Sequence, residues 1–69
     1  MQYICNFLNP DTDERKTVTG ALSAEEVRSV QSLTEHADMH AMAYALRHAY
    51  AEVPKGFLHT EPPELIRLS

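Results

Sequence analysis

Most positions at the start of the chain are hydrophobic, and successive side chains of an extended backbone there would point to opposite faces. One of these faces carries Tyr3, Cys5 and Phe7. The period of two predicts a β-strand over residues 2–8 that buries at least one face.

The next apolar pattern follows a run of turn-forming residues, Asn9-Pro10-Asp11-Thr12-Asp13. Beyond this run, β-branched side chains favour a second strand over residues 15–22. Two strands joined by such a short connection predict a β-hairpin. Gly20 interrupts the second strand and indicates either a bulge or a close approach of another backbone.

Two helices are predicted after the hairpin. Ser23-Ala24-Glu25-Glu26 has the spacing of a capping box, in which the Ser hydroxyl and the Glu carboxylate each accept from a backbone N–H group. It predicts a first helix over residues 24–32. A second motif of this kind, Ser32-Leu33-Thr34-Glu35, predicts another helix over residues 36–52. Val53-Pro54-Lys55-Gly56 then ends that helix.

One continuous helix is the rival interpretation, and the phase of the apolar residues decides against it. At about 100° per residue, one stripe of the second helix consists of Met39, Met42, Ala43, Leu46, Tyr50 and Val53. The earlier apolar residues, Val27, Val30 and Leu33, would fall on nearly the opposite side of the same rod. A break between Gln31 and Asp38 is therefore expected.

The last segment, residues 57–69, is predicted to be extended because Pro62-Pro63 removes two backbone donors and disfavours a helix. It either adds an edge strand or lies on a partner. These elements predict one small α+β domain over residues 1–69. Its parts are an N-terminal β-hairpin, an αα-hairpin packed on one face of the sheet, and the extended C-terminal segment.

Composition narrows the class of protein. A chain of 69 residues and 7.8 kDa makes one domain, which excludes a two-domain enzyme. Its single cysteine, Cys5, cannot form an internal disulfide and fits the cytoplasm.

The net charge of -4 argues against general affinity for nucleic acid, without excluding a local basic patch. No apolar run approaches 18 residues, so no membrane association is expected.

The second helix is the most informative element for function, because it carries a further ridge of small residues, Ala37, Ala41, Ala45 and Ala49. A helix that is apolar on two sides needs cover on both. In so short a chain, that cover comes either from the sheet and the first helix or from a second copy. We expect a non-enzymatic protein-interaction module that self-associates, without a cofactor. The residues predicted to bind the partner are Ala41, Tyr44, Ala45, Phe57 and Leu58.

An alternative function comes from the order of elements between residues 15 and 52. A strand, Thr17-Val18-Thr19-Gly20-Ala21-Leu22, precedes a capped helix and a second helix that contains Ala45-Leu46-Arg47-His48-Ala49-Tyr50. This order resembles the ribbon-helix-helix family, whose paired strands enter the DNA major groove. The resemblance implies a dimeric DNA-binding regulator. The residues it would place on DNA are Arg15, Lys16, Thr17 and Thr19.

A third interpretation is metal binding. His36 and His40 are four residues apart, which places two imidazoles on one helical face. A catalytic zinc site needs a third protein ligand. The candidates for that ligand are Glu35, Asp38 and His59.

Overall fold

The computed structural model describes residues 1–32 and 36–66. Their elements are, in chain order, β1 (Gln2–Leu8), β2 (Arg15–Ala21), α1 (Ala24–Gln31), α2 (Ala37–Ala51), β3 (Leu58–His59) and β4 (Glu64–Ile66). The α+β class is confirmed, with an N-terminal hairpin and two helices packed on a sheet. Neither of the described helices is long and apolar enough to cross a membrane.

β1 is the central strand of an antiparallel sheet. On one side it pairs with β2 along its whole length, from Gln2 opposite Ala21 to Leu8 opposite Arg15. On the other side β1 pairs with β3 near its C-terminal end and with β4 near its N-terminal end. The C-terminal segment therefore adds to the sheet, the first of its two predicted alternatives. Residues 67–69 of that segment lie outside the described residues.

Asn9 closes the connection between β1 and β2. Its backbone N–H donates to the Glu14 carbonyl at 2.8 Å, and its side-chain oxygen accepts from the Asp11 N–H at 2.9 Å. Asp13 adopts the left-handed region with φ of 59°, which Asp tolerates because its short side chain can bond locally. The turn residues predicted from the sequence therefore join the two strands of the hairpin.

The core lies between one face of β1 and one face of α2. Tyr3, Cys5 and Phe7 are buried on the strand. They face the inner part of the alanine ridge, which consists of Ala41, Ala45 and Ala49, each 0% exposed.

The break between the helices is confirmed, since α1 ends at Gln31 and α2 begins at Ala37. The phase argument for this break is wrong, because the alanines face the core instead of the methionine stripe, and at about 100° per residue they are in phase with Val27 and Val30. Met39, in the methionine stripe, is 62% exposed.

Gly20 lies directly opposite Tyr3 in the β1–β2 register. A Cβ atom at Gly20 would lie 2.5 Å from the Tyr3 hydroxyl oxygen, so the tyrosine side chain crosses the glycine. The pairing is one-to-one along all of β2, and no bulge interrupts it. Neither predicted explanation for this glycine is therefore correct, because the group that approaches it is the Tyr3 side chain and not a backbone.

The two helices begin in different ways. α1 has the predicted capping box, in which Ser23 Oγ accepts from the Glu26 N–H at 3.1 Å and the Glu26 carboxylate accepts from the Ser23 N–H at 2.9 Å. α2 begins after His36, which has φ of 59° and makes no side-chain cap. Ser32 ends α1 instead of starting α2. The remainder of the second predicted box, residues 33–35, lies outside the described residues.

Candidate functional site

α1 covers one flank of α2 and is held there by polar contacts. His48 Nε2 lies 2.8 Å and 2.9 Å from the two carboxylate oxygens of Glu26. The hydrogen bond from the Ser23 N–H, followed by the contact with His48, holds the pKa of Glu26 below its ordinary value. The Tyr3 ring stacks with the His48 ring at a centroid distance of 6.4 Å. This flank is therefore closed.

The opposite flank of α2 is open, since no helix in the described part of the chain packs against it. Met39, Met42, Ala43 and Leu46 line the helix side of a groove of about 290 Å³. His59, Pro62 and Pro63 form its other wall. We call this space the methionine groove. Its surface is apolar because thioether, alkyl and pyrrolidine groups make most of it.

The methionine groove continues toward the start of α2. A second depression, of about 350 Å³, is lined by His36, Met39, His40 and Ala43, so the two spaces share Met39 and Ala43. α2 has 15 residues, which corresponds to a length of about 22 Å. The open flank thus extends along much of the helix.

Tyr50 ties the end of α2 to the wall of the groove. Its hydroxyl oxygen lies 2.7 Å from His59 Nδ1 and accepts from the His59 backbone N–H at 3.1 Å. The Tyr50 ring also meets the buried Phe7 ring edge-on, with centroids 4.9 Å apart. The distance between helix and wall is therefore maintained by specific contacts.

Pro62 and Pro63 form the part of the groove wall that we call the proline wall, and the segment that precedes them holds it to the sheet. The Thr60 N–H donates to the Asn6 carbonyl at 3.1 Å, and Asn6 Nδ2 donates to Glu61 Oε1 at 2.9 Å. Pro62 and Pro63 follow at once and carry no backbone N–H. The wall consequently offers apolar surface with few hydrogen-bond donors.

The five residues that the sequence predicted for partner binding differ in how far their side chains are exposed. Ala41 and Ala45 are 0% exposed and Phe57 is 5% exposed, so the chain's own core already covers these three side chains. They are therefore not available for contact with a partner in the folded chain. Tyr44 is half-buried on the closed side of α2, and Leu58 is exposed on β3. These two remain candidates but do not belong to the methionine groove.

Met39 is a residue whose environment the sequence left open. Its stripe was recognised, but apolar character alone did not show which of the two apolar sides of α2 faces the core. The signal that could have placed it outside is the spacing of the alanines, since four small side chains in a row allow the closest approach of a helix to a sheet. The methionine stripe, whose side chains are bulkier, then lies beside the contact between α2 and the sheet.

His36 and His40 both line the depression at the start of α2. Within residues 1–32 and 36–66, no three His, Cys, Asp or Glu side chains are grouped so that they could hold a metal ion. His59, one candidate for the third ligand, bonds to Tyr50 instead. Glu35, another candidate, lies outside the described residues.

The residues of the DNA-binding alternative lie on β2, which is already paired with β1 along its length. Thr17 Oγ1 donates to Asn6 Oδ1 at 2.8 Å. Lys16 Nζ lies 5.5 Å from the centroid of the Phe57 ring and 4.0 Å from a Glu14 carboxylate oxygen. Arg15 and Thr19 are exposed. The structure thus engages Lys16 and Thr17 in contacts within the chain.

Comparison with known proteins finds no relative: no family model, no curated protein and no solved structure matches this chain. The fold and its surface are therefore the available guides to function. Among the surfaces described above, the methionine groove combines exposure with apolar character.

Proposed function

We propose that the protein is a non-enzymatic protein-interaction module whose docking surface is the methionine groove. The observation that carries this proposal is the 62% exposure of Met39 in a groove lined by other apolar side chains. Methionine is frequent at binding surfaces because its unbranched, polarisable side chain adapts to different partners. The occupant we propose is an amphipathic helix of another protein.

A helix fits this groove better than an extended peptide does. α1 lies on the closed flank of α2, and a partner helix on the open flank would take the corresponding position on the other side. An extended peptide gains most of its affinity from backbone hydrogen bonds to a strand edge. Pro62 and Pro63 cannot donate such bonds. A helix forms its backbone hydrogen bonds internally, so packing against Pro62 and Pro63 leaves none of those backbone groups without a partner.

The charge of this half of the chain indicates which flanking residues the partner helix carries. Between residues 36 and 66 the carboxylates are Asp38, Glu52, Glu61 and Glu64. Only two basic side chains, Arg47 and Lys55, lie in the same range. Lys or Arg residues beside the apolar face of the partner would therefore speed its approach and favour its binding.

Methyl NMR on the three methionines tests the proposal. The probe is a synthetic 18-residue helical peptide with leucine on one face and lysine on the other. We expect its addition to shift the Met39 and Met42 methyl signals, because the peptide packs on both side chains. Met1 does not line the groove and packs against the core, so its methyl signal should stay in place.

Two matched variants make the test specific. Met39→Glu places a charge in the groove, and Leu58→Glu places the same charge on β3, where Leu58 is 58% exposed. We expect Met39→Glu to weaken peptide binding by about tenfold or more, equivalent to about 1.4 kcal/mol. Leu58→Glu should leave binding unchanged. Equal effects of the two variants, or methionine methyl signals that do not move, would rule out the groove as the docking surface.

A further inference from the structure

The start of α2 places three side chains that can bind a metal ion around one depression. His36, Met39 and His40 line the depression of about 350 Å³ described above, and Ala43 completes its lining. Spacings of three and four residues bring side chains onto one face of a helix, with Cβ atoms about 5–6 Å apart. The His36 carbonyl accepts from the His40 N–H at 3.1 Å, which makes His36 part of the first turn.

The donor atoms of these side chains are available to a ligand. Among the residues that the structure describes, the imidazoles of His36 and His40 have no hydrogen bond, ion pair or ring contact. His48 and His59 differ, because they bond to Glu26 and Tyr50. All three side chains at the depression are exposed.

The donor set determines which metal ion fits. Zn²⁺ is bound in proteins by thiolate, imidazole and carboxylate groups, and the described residues 1–32 and 36–66 group no third side chain of these kinds with the two histidines. Asp38 is two residues from His40, a spacing that does not bring side chains together on a helix. The thioether of Met39 supplies the third donor, and a thioether selects the soft ion Cu(I), which imidazole also binds.

The position at the beginning of a helix also favours a monovalent ion over a divalent one. The unpaired N–H groups of the first turn give this end of α2 a partial positive charge, and no side chain caps it at His36. Repulsion between this charge and a bound cation is proportional to the charge of the cation. Cu(I) is therefore repelled half as strongly as Zn²⁺ at the same place.

We propose that His36, Met39 and His40 form a three-coordinate binding site for Cu(I), with two imidazole nitrogens and one thioether sulfur as ligands. The site differs from a zinc site built on the two histidines, because sulfur takes the place of the third imidazole or carboxylate ligand. It shares Met39 with the methionine groove, but its formation does not depend on a peptide in that groove.

Titration of the full chain with Ag⁺, a soft monovalent ion that is stable in air, tests the ligand set by NMR. We expect an equimolar amount of Ag⁺ to shift the Met39 methyl signal and the ring signals of His36 and His40. Met42 does not line this depression, so its methyl signal should move less. A Met39 methyl signal that stays in place, or a larger shift at Met42, would overturn the proposal.

Two matched variants test the role of the sulfur. Met39→Leu and Met42→Leu each remove one thioether and keep an apolar side chain of similar size. Competition with a chromogenic Cu(I) chelator, in the absence of oxygen, measures their affinities for Cu(I). We expect Met39→Leu to weaken binding by about tenfold or more, at least the loss that removal of an outer-shell partner causes. Met42→Leu should bind as the unmodified protein does, and equal affinities in all three proteins would rule out Met39 as a ligand.

Comparison with Zn²⁺ distinguishes the proposed site from a simple pair of histidines. His40→Gln should weaken the binding of both Ag⁺ and Zn²⁺, because it removes an imidazole that either ion uses. Met39→Leu should weaken the binding of Ag⁺ alone, since a thioether is not a zinc ligand. If Met39→Leu affects both ions equally, the sulfur does not select the metal and the proposal is wrong.

The metal site and the methionine groove can fail independently. Met39→Leu retains the apolar surface of the groove, so it should still bind the helical peptide while its affinity for Ag⁺ falls. Unchanged Ag⁺ affinity in Met39→Leu would disprove the metal site and leave the docking surface in place. A peptide that moves no methionine methyl signal, added to a chain that binds Ag⁺ through Met39, would disprove the docking surface alone.

Discussion

The inner alanines of α2 determine how closely that helix approaches the sheet. Ala41, Ala45 and Ala49 are spaced by four residues and are completely buried. Their methyl groups face the large rings of Tyr3 and Phe7 across the core. Small residues on the helix thus complement large residues on the strand, and little space remains at these positions.

Enlarging the central alanine should therefore destabilise the fold. Ala45→Leu adds three carbon atoms at a site with no exposure, and we expect it to lower the free energy of unfolding by about 1–3 kcal/mol. Urea titration followed by circular dichroism measures the change. Ala43→Leu makes the same substitution on the exposed, groove-lining side and should alter stability by less than about 0.5 kcal/mol. If Ala43→Leu were the more damaging variant, the assignment of the two faces would be incorrect.

At the scale of elements, Glu26 connects the start of α1 to the last turn of α2. The same carboxylate accepts from the Ser23 N–H and contacts His48. Both contacts favour its charged form, which is the reason that its pKa lies below the ordinary value of 4.5. The packing of the two helices is accordingly linked to the protonation of one side chain.

This linkage predicts a loss of stability in acid. Because the folded state has the lower pKa, Glu26 contributes its full stabilisation above the unfolded value, and the contribution disappears as the pH falls through the folded value. The loss therefore begins near the ordinary value of 4.5 and continues as the pH falls below it. Glu26→Gln should lose about 0.3–1 kcal/mol of stability at pH 7, because it removes a negative charge from the first turn of α1, and it should show a shallower decline in acid. Urea titrations at a series of pH values measure both effects.

Glu25→Gln is the matched control for this experiment. Glu25 is exposed in the same first turn of α1, and the substitution removes the same charge one residue away. We expect it to retain the acid dependence of the unmodified protein. A decline with pH that is identical in Glu26→Gln and the unmodified protein would assign the acid sensitivity to other carboxylates.

At the scale of the whole molecule, the core is small and centred on β1. Cys5 lies in the middle of that strand and is 1% exposed. Burial raises the pKa of its thiol, so the reactive thiolate is scarce as well as inaccessible. A reagent can reach this sulfur only when the sheet and α2 separate, which in so small a domain requires global unfolding.

Alkylation of Cys5 should therefore report on the stability of the whole domain. We expect iodoacetamide to react with the folded chain about 5,000-fold more slowly than with the same chain in 8 M urea, in line with about 5 kcal/mol of stability. Mass spectrometry of timed samples measures both rates. Ala45→Leu should accelerate the reaction in proportion to the stability it loses. A native rate close to the unfolded rate would contradict the burial of Cys5 behind α2.

Much of the architecture could be predicted because it depends on neighbours in the chain. The capping box at Ser23, the turn that follows Asn9 and the alternation in β1 each involve residues a few positions apart. Local interactions of this kind are visible in the sequence itself. The capping box beginning at Ser32 was also plausible locally, but Ser32 bonds back to the end of α1. Similar local signals can therefore serve either end of a helix.

The sequence by itself determined the two strands of the N-terminal hairpin, the two helices and the presence of two apolar surfaces on α2. Only the tertiary structure decided which surface turned inward, because that choice depends on the rings that β1 presents opposite the helix. It also decided that β3 and β4 pair with β1, since only the folded chain shows which strand edge is vacant. Periodicity defines the faces of an element, whereas their burial depends on the shape of distant parts of the chain.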